Sequence, residues 1–307
     1  SMAHMGKNPR ILQIYTMLLQ GESVSKESLA REYEVSEKSI QRDIEDLREF
    51  LEDTMPGVTL RYSGKKRQYS LSSSRSSGRL DPEQLLLVAE LVLQSGLLPR
   101  EEAGELLDKL LPLCWDREKR PLLHSRIRRG MAQYRTRSRR LGQTQLLWRL
   151  EQAIQHKNRV RLHYESDQRQ MVVWPQAVLI RTGLLYLAAF PETEPTKLLL
   201  SRLDKLASAE LLPAEECPVE PLKLDRVPFS TGGELYQVRF RYLSENLQPI
   251  HIWLPGAQLC RLPDGSGWEV SVEVYGRQIA TWLRAMGRMV DQIQVQKIEK
   301  QLVAADS

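Results

Sequence analysis

Glu37, Lys38, Ser39, Gln41 and Arg42 put five polar side chains into six consecutive positions, with Ser36 just ahead of them. Short hydroxyls suit phosphate oxygens, while the longer forked side chains reach base edges, Arg gripping guanine and Gln adenine. A second group, Lys65, Lys66 and Arg67, is purely cationic. Its chemistry is attraction to the phosphate backbone, which carries affinity but no sequence information.

Both groups need a scaffold, and the run from Asn8 to Leu71 supplies one. Asn8 is placed to cap a first helix with Pro9 at its first helical position, and Ile11, Leu12, Ile14, Tyr15, Leu18 and Leu19 form its core face. Gly21 is placed to end that helix. Ser25 caps a short second helix burying Leu29, Ala30 and Tyr33. After the turn Glu34-Val35, Ser36 caps a third helix whose Ile40, Ile44, Leu47 and Leu51 make one buried stripe. Everything else on its first two turns is expected to face outward. Past Pro56-Gly57, Val58 to Tyr62 and Gln68 to Leu71 alternate around Ser63-Gly64-Lys65-Lys66-Arg67, a hairpin with a cationic tip. Three helices and a basic hairpin in that order predict a winged helix-turn-helix that reads double-stranded DNA through Ser36, Lys38, Ser39, Gln41 and Arg42, with Lys65, Lys66 and Arg67 on the backbone. The other reading is a small helical protein-interaction domain with solvated charge.

The chain has 307 residues, 41% of them hydrophobic, which predicts two or three domains with ordinary cores. Its formal charge of +5 favours an acidic partner. Eight Arg and no Asp or Glu lie between Arg120 and Arg140, whereas Glu210 to Glu220 carries acid and proline. That Arg cluster is a second nucleic-acid contact, a dimer surface or a solvated face. Cys114, Cys217 and Cys260 are widely spaced with no CxxC, which suggests neither a disulfide framework nor a zinc site and fits a reducing cytoplasm. No apolar stretch approaches the roughly 20 residues of a membrane span. Ser1 to Met5 reads as a cloning remnant.

Ser72 to Gly78 is small and polar, the composition of a flexible joint. Asp81-Pro82-Glu83 then opens helical sequence running to about Leu113, with a break at Gly96 to Pro99. Further helices are expected over Pro121 to Tyr134 and Thr144 to His156. From Asn158 the period changes to two. Strands are expected over Val160 to Tyr164, Met171 to Ile180, Leu184 to Phe190, Lys197 to Leu200 and Leu206 to Leu212, enough for a small closed barrel. The last segment reads strand, strand, helix, strand, with strands from Tyr236, over Gly267 to Tyr275 and over Val290 to Ile298, and the helix over Gly276 to Met286.

Leu162-His163-Tyr164-Glu165-Ser166, Trp174-Pro175, Gly183-Leu184-Leu185-Tyr186-Leu187 and Ser201-Arg202-Leu203-Asp204-Lys205-Leu206 together resemble the WYL domain of bacterial transcription regulators. Leu185-Tyr186-Leu187 stands where the family has its name-giving Trp-Tyr-Leu. The resemblance implies an α+β multidomain chain: winged helix-turn-helix over 7–71, helical connector over 72–140, Sm-like WYL barrel over 141–213, and a C-terminal α+β extension, suited to dimerisation, over 230–304. It further implies a cytoplasmic transcription regulator, a repressor rather than an activator. A lone winged domain binds weakly, and two-fold dimers place two recognition helices about one duplex turn apart, so a homodimer on an inverted-repeat operator is expected. Its barrel would sense an anionic nucleotide or single-stranded oligonucleotide through Tyr164, Ser166, Tyr186 and Arg202, with Arg169 nearby. Met171 stands where the family often has Arg.

Read from the residues alone, Arg202 either holds a phosphate in a bidentate grip or pairs with Asp204, and Tyr186 is a core residue with its hydroxyl at the rim. No cofactor or metal is expected. The chain lacks HExxH, GxSxG, Walker and GxGxxG patterns, and alternation puts His163 on the opposite strand face from Tyr164, so an enzyme is not expected. The remaining alternative is an RNA-binding or nucleic-acid-processing adaptor without operator specificity.

Overall fold

A computed structural model describes residues 5–74 and 77–303. The chain folds as two compact units, residues 1–136 and 137–307. The boundary falls just ahead of the expected barrel domain, so Arg137 to Arg140 fold with the second unit.

In the first unit, helices α1 (Lys7–Leu19), α2 (Lys26–Glu32) and α3 (Glu37–Thr54) precede the hairpin β1 (Val58–Ser63) and β2 (Gln68–Ser73). The Ser25 and Ser36 caps are present, each hydroxyl accepting the backbone N–H three residues on. Helix α1 differs from expectation, because Gly6 occupies the N-cap and Asn8 and Pro9 lie inside the first turn, where Pro still sacrifices no hydrogen bond. Ile14, Leu18, Leu29, Tyr33, Ile40, Ile44, Leu47 and Leu51 pack with Val58, Leu60 and Leu71 into one core. The strands pair antiparallel from Val58 opposite Ser73 to Ser63 opposite Gln68. Val24 adds a bridge to Tyr69 on the other side of β2.

The expected flexible joint is corrected in part. Ser72 and Ser73 belong to β2, Ser74 donates its N–H to the Gly57 carbonyl, and Arg75 and Ser76 lie outside the described residues. Helices α4 (Pro82–Ser95), α5 (Arg100–Leu110) and α6 (Arg120–Gln133) follow, α4 opened by a capping box between Asp81 and Gln84. They have their own core of Leu85, Ala89, Leu107, Leu123 and Ile127. Trp115, between α5 and α6, instead joins the core of the winged domain, so side-chain packing as well as chain continuity ties the connector to that domain.

The second unit begins with α7 (Gln143–Gln155), which packs on β3 (Asn158–Tyr164), β4 (Gln170–Arg181) and β7 (Leu206–Ala214). With β5 (Leu184–Pro191) and β6 (Leu199–Arg202) these form a five-stranded antiparallel sheet in the order β6-β5-β4-β3-β7. The two edge strands are consecutive in sequence, separated only by the 3-10 turn Leu203–Lys205. So short a link requires the sheet to curl until the end of β6 and the start of β7 lie within its reach, as in a barrel; no β6–β7 ladder appears among the described residues. The fourth strand runs two residues later than expected, making Arg202 its last residue.

The C-terminal sheet has the order β11-β8-β10-β9, from β8 (Leu235–Tyr242), β9 (Gln258–Arg261), β10 (Trp268–Tyr275) and β11 (Val290–Lys297). Helices α8 (Gln248–Trp253) and α9 (Gln278–Ala285) bury Ile250, Ile279 and Leu283 against it. Both α8 and β9 were absent from the expected pattern, being only six and four residues long. Leu235 and Tyr275 share a further core with Phe190 and Leu198 of the barrel.

Candidate nucleic-acid interface

Helix α3 brings its polar residues to one surface, with one exception. Lys38 and Arg42 are exposed, and Gln41 is half-buried. The Ser36 and Ser39 hydroxyls stand 3.0 Å apart at the helix start. Asp43, expected to face outward, is buried. Its carboxylate accepts from Arg10 Nε (2.6 Å) and Nη2 (3.0 Å), a forked pair clamping α1 to α3. The Arg10 side chain is 8% exposed and that of Asp43 1%. The Asp43 hydrogen bond raises the Arg10 pKa, against the opposing effect of burial.

At the hairpin tip, Lys65, Lys66 and Arg67 are exposed, and the loop closes with Arg67 at φ 52°, the left-handed geometry that ends a four-residue turn. The inner face of the hairpin carries Val58, Leu60 and Leu71 into the core. Tyr69 lies on that face too, its ring tilted against that of half-exposed Tyr62 with centroids 4.8 Å apart.

Behind this surface, three connector side chains hold the turn between α1 and α2. Trp115 Nε1 donates to the Leu19 carbonyl (3.0 Å), Arg117 Nε to Ser23 Oγ (2.6 Å) and Arg120 Nη1 to the Gly21 carbonyl (2.8 Å). Leu19 ends α1, where carbonyls lack intrahelical partners, so indole and guanidinium donors meet a standing need. The Arg79 guanidinium lies 3.4 Å from the Trp115 ring centroid, and burial there lowers its pKa.

The expected Arg cluster is dispersed by these and other bonds. Arg126 forks onto Glu90 at 2.5 and 2.9 Å. Arg137 donates to the Thr182 carbonyl and Arg140 pairs with Glu165 at 2.8 Å. Arg128, Arg129, Arg135 and Arg139 remain exposed.

On the barrel, the expected effector residues fall into separate groups. Tyr164 and Ser201 hydroxyls meet at 2.6 Å in a buried pair, and the Arg169 guanidinium lies 4.3 Å from the Tyr164 ring centroid. Tyr186 faces Arg202 across the β5–β6 ladder. Arg202 grips Asp204 through Nε (2.9 Å) and Nη2 (2.6 Å), so the ion pair of the two readings is the one formed. Burial pushes the Asp204 carboxyl up, but Arg202 and the Ser138 hydroxyl outweigh it and hold it below the usual range. Ser138, itself buried, also accepts from Gln143 Nε2 (3.1 Å). Alternation along β6 sends Ser201 and Arg202 to opposite faces. Ser166 lies in the exposed turn after β3. Sequence reasoning missed Ser201 and Ser138, which carry no signal beyond a hydroxyl next to a motif. His163 faces Glu210 at 3.8 Å, away from Tyr164.

Comparison with known proteins divides the chain in the same way. An HTH domain matches residues 10–59, spanning α1 to the start of the hairpin. A WYL domain matches residues 145–211, covering most of α7 and the barrel strands. The chain is therefore an α+β helix-turn-helix protein that carries a WYL domain. Among solved structures, Proteasome accessory factor B/C (PafBC) of Arthrobacter aurescens is similar over 95% of this chain and 46% of its own, at 16% identity and a TM-score of 0.31. The chain spans about half the length of that structure. No curated protein matches the chain. Among the described residues no helix is long and apolar enough to cross a membrane.

Proposed function

We propose that this chain is a sequence-specific transcription regulator, a repressor, that binds an inverted-repeat operator as a homodimer under control of an anionic effector on its WYL barrel. The observation that carries the reading is the pairing of exposed Lys38 and Arg42 on a capped helix with the cationic tip Lys65-Lys66-Arg67, inside the matched HTH domain. Arg42 and Gln41 read base edges; Lys38, the helix start at Ser36 and Ser39, and the wing hold phosphate. Arg202 with Tyr186 is the first group of the effector site and Tyr164 with Arg169 the second, Ser166 adding a hydroxyl from the turn after β3, and the effector is a nucleotide or a short single strand. Binding there requires Arg202 to exchange its Asp204 partner for the ligand or to share its donors between them.

Equilibrium titration on operator and unrelated duplex tests the DNA half. Arg42→Ala is expected to cost roughly 1–3 kcal/mol on the operator and to relax preference at one base pair. Replacing Lys65, Lys66 and Arg67 together by Ala is expected to weaken binding to every sequence and flatten its salt dependence. An Arg42 variant with full operator preference would refute the assignment of α3. Calorimetry with nucleotides and short single strands tests the barrel half, and equal binding by wild type and Arg202→Ala would place the effector elsewhere.

A further inference from the structure

Tyr69 is fixed from every side. Its N–H donates to the Val24 carbonyl (2.7 Å) and its carbonyl accepts from Val24 N–H (2.9 Å). Across the hairpin it opposes Tyr62, ring against ring. The residue is only 6% exposed, and its hydroxyl reaches α3. There it donates to Gln41 Oε1 on α3 (3.4 Å). Gln41 Nε2 donates in turn to Glu45 Oε1 one helical turn on (2.7 Å), and Arg48 holds both Glu45 oxygens at 3.2 Å.

Turning the Gln41 amide over would set its oxygen against the Glu45 carboxylate, two acceptors with no proton between them. Glu45 therefore decides which end of the amide is which, and Tyr69 decides where the oxygen points. With both bonds made, the amide retains one N–H and one oxygen lone pair. That donor and acceptor match the N7 and N6 amino group of adenine. Guanine offers two acceptors on the same edge, so a fixed Gln41 oxygen meets O6 unfavourably, whereas a free amide can turn its NH2 toward guanine.

We propose that Tyr69 is a positioning residue for specificity: by locking the Gln41 amide together with Glu45, it makes the recognition helix prefer adenine over guanine at one base pair. The inference rests on the reading of α3 as the base-reading helix. Tyr69 touches no base in this scheme and acts through Gln41 alone.

The test uses the full chain. A randomised duplex pool is enriched by binding, and the selected site is then titrated with each base substituted in turn. Wild type is expected to select adenine over guanine at one position. Tyr69→Phe keeps the ring and the ladder but loses the hydroxyl, and is expected to lower that ratio by about tenfold. Its other base preferences, its affinity for unrelated duplex and its salt slope are expected to match wild type. Glu45→Ala, on the helix surface, frees the other end of the amide and is expected to relax the same base pair; it carries the test alone if Tyr69→Phe fails to fold. A folded Tyr69→Phe that keeps every base ratio overturns the inference while the DNA-reading function stands. Loss spread evenly over all positions in both variants also overturns it, since that is what a merely structural role would give. Failure of wild type to enrich any site sinks the proposed function itself, and the inference with it.

Discussion

Asp43 sits on the recognition helix between Ile40 and Ile44, and it faces inward because Arg10 supplies two donors in a fork that matches its carboxylate. Two charges so deeply buried are tolerable only as a pair. Asp43→Ala leaves the Arg10 guanidinium buried and unpartnered, and is expected to destabilise the winged domain by about 3–5 kcal/mol in urea unfolding. The double replacement Arg10→Met with Asp43→Leu is expected to lie closer to wild type than either single change. A single Asp43→Ala variant within about 1 kcal/mol of wild type would show that water reaches the pair. The pair thus seats the helix that carries Gln41 and Arg42.

At the scale of elements, the turn between α1 and α2 is shared by the winged domain and its connector. Trp115, Arg117 and Arg120 all bond to it, and Trp115 fills a place in the core that the three helices leave open. Trp115→Ala is expected to cost about 3–5 kcal/mol through the cavity it opens. Trp115→Phe keeps most of the bulk and loses the bond to the Leu19 carbonyl, for about 1 kcal/mol. Thermal unfolding followed by circular dichroism checks both. If the connector hung from the reader only through the serine-rich stretch, neither change would move the transition. Glu83 and Lys119 add a surface pair between α4 and the start of α6, worth little beside the buried indole.

For the whole molecule, the proposed inverted-repeat operator calls for two recognition helices about one duplex turn apart, and so for two copies of the chain. Light scattering at micromolar concentration is expected to give twice the chain mass of 35.5 kDa. A chain that stays single even on DNA would remove the inverted-repeat arrangement. The proposed effector site extends to the first residues of the second unit. Ser138 sits at the start of the second unit and bonds to the same Asp204 that holds Arg202. An anion drawing Arg202 away would therefore change the partners of the first residues of that unit. Any effector so coupled must itself bind the DNA complex differently by the same factor.

The sequence by itself determined whatever depends on near neighbours. The stripe of Ile40, Ile44, Leu47 and Leu51, the Ser25 and Ser36 caps, the cationic hairpin and the alternation from Val160 to Tyr164 follow from periods of 3.6 and 2 and from local hydrogen bonding. Too short to show a period, α8 and β9 escaped the same reasoning. Tertiary structure alone decided the partners of the polar side chains. Arg10 meets Asp43 across 33 positions, Tyr69 meets Gln41 across 28, Tyr164 meets Ser201 across 37 and Trp115 meets Leu19 across 96. Such contacts depend on how the chain returns to itself, which sets burial and direction together. The same hydroxyl, carboxylate or guanidinium is a solvated ornament on one path and a fixed donor or acceptor on another, because only exclusion of water makes its pairing obligatory.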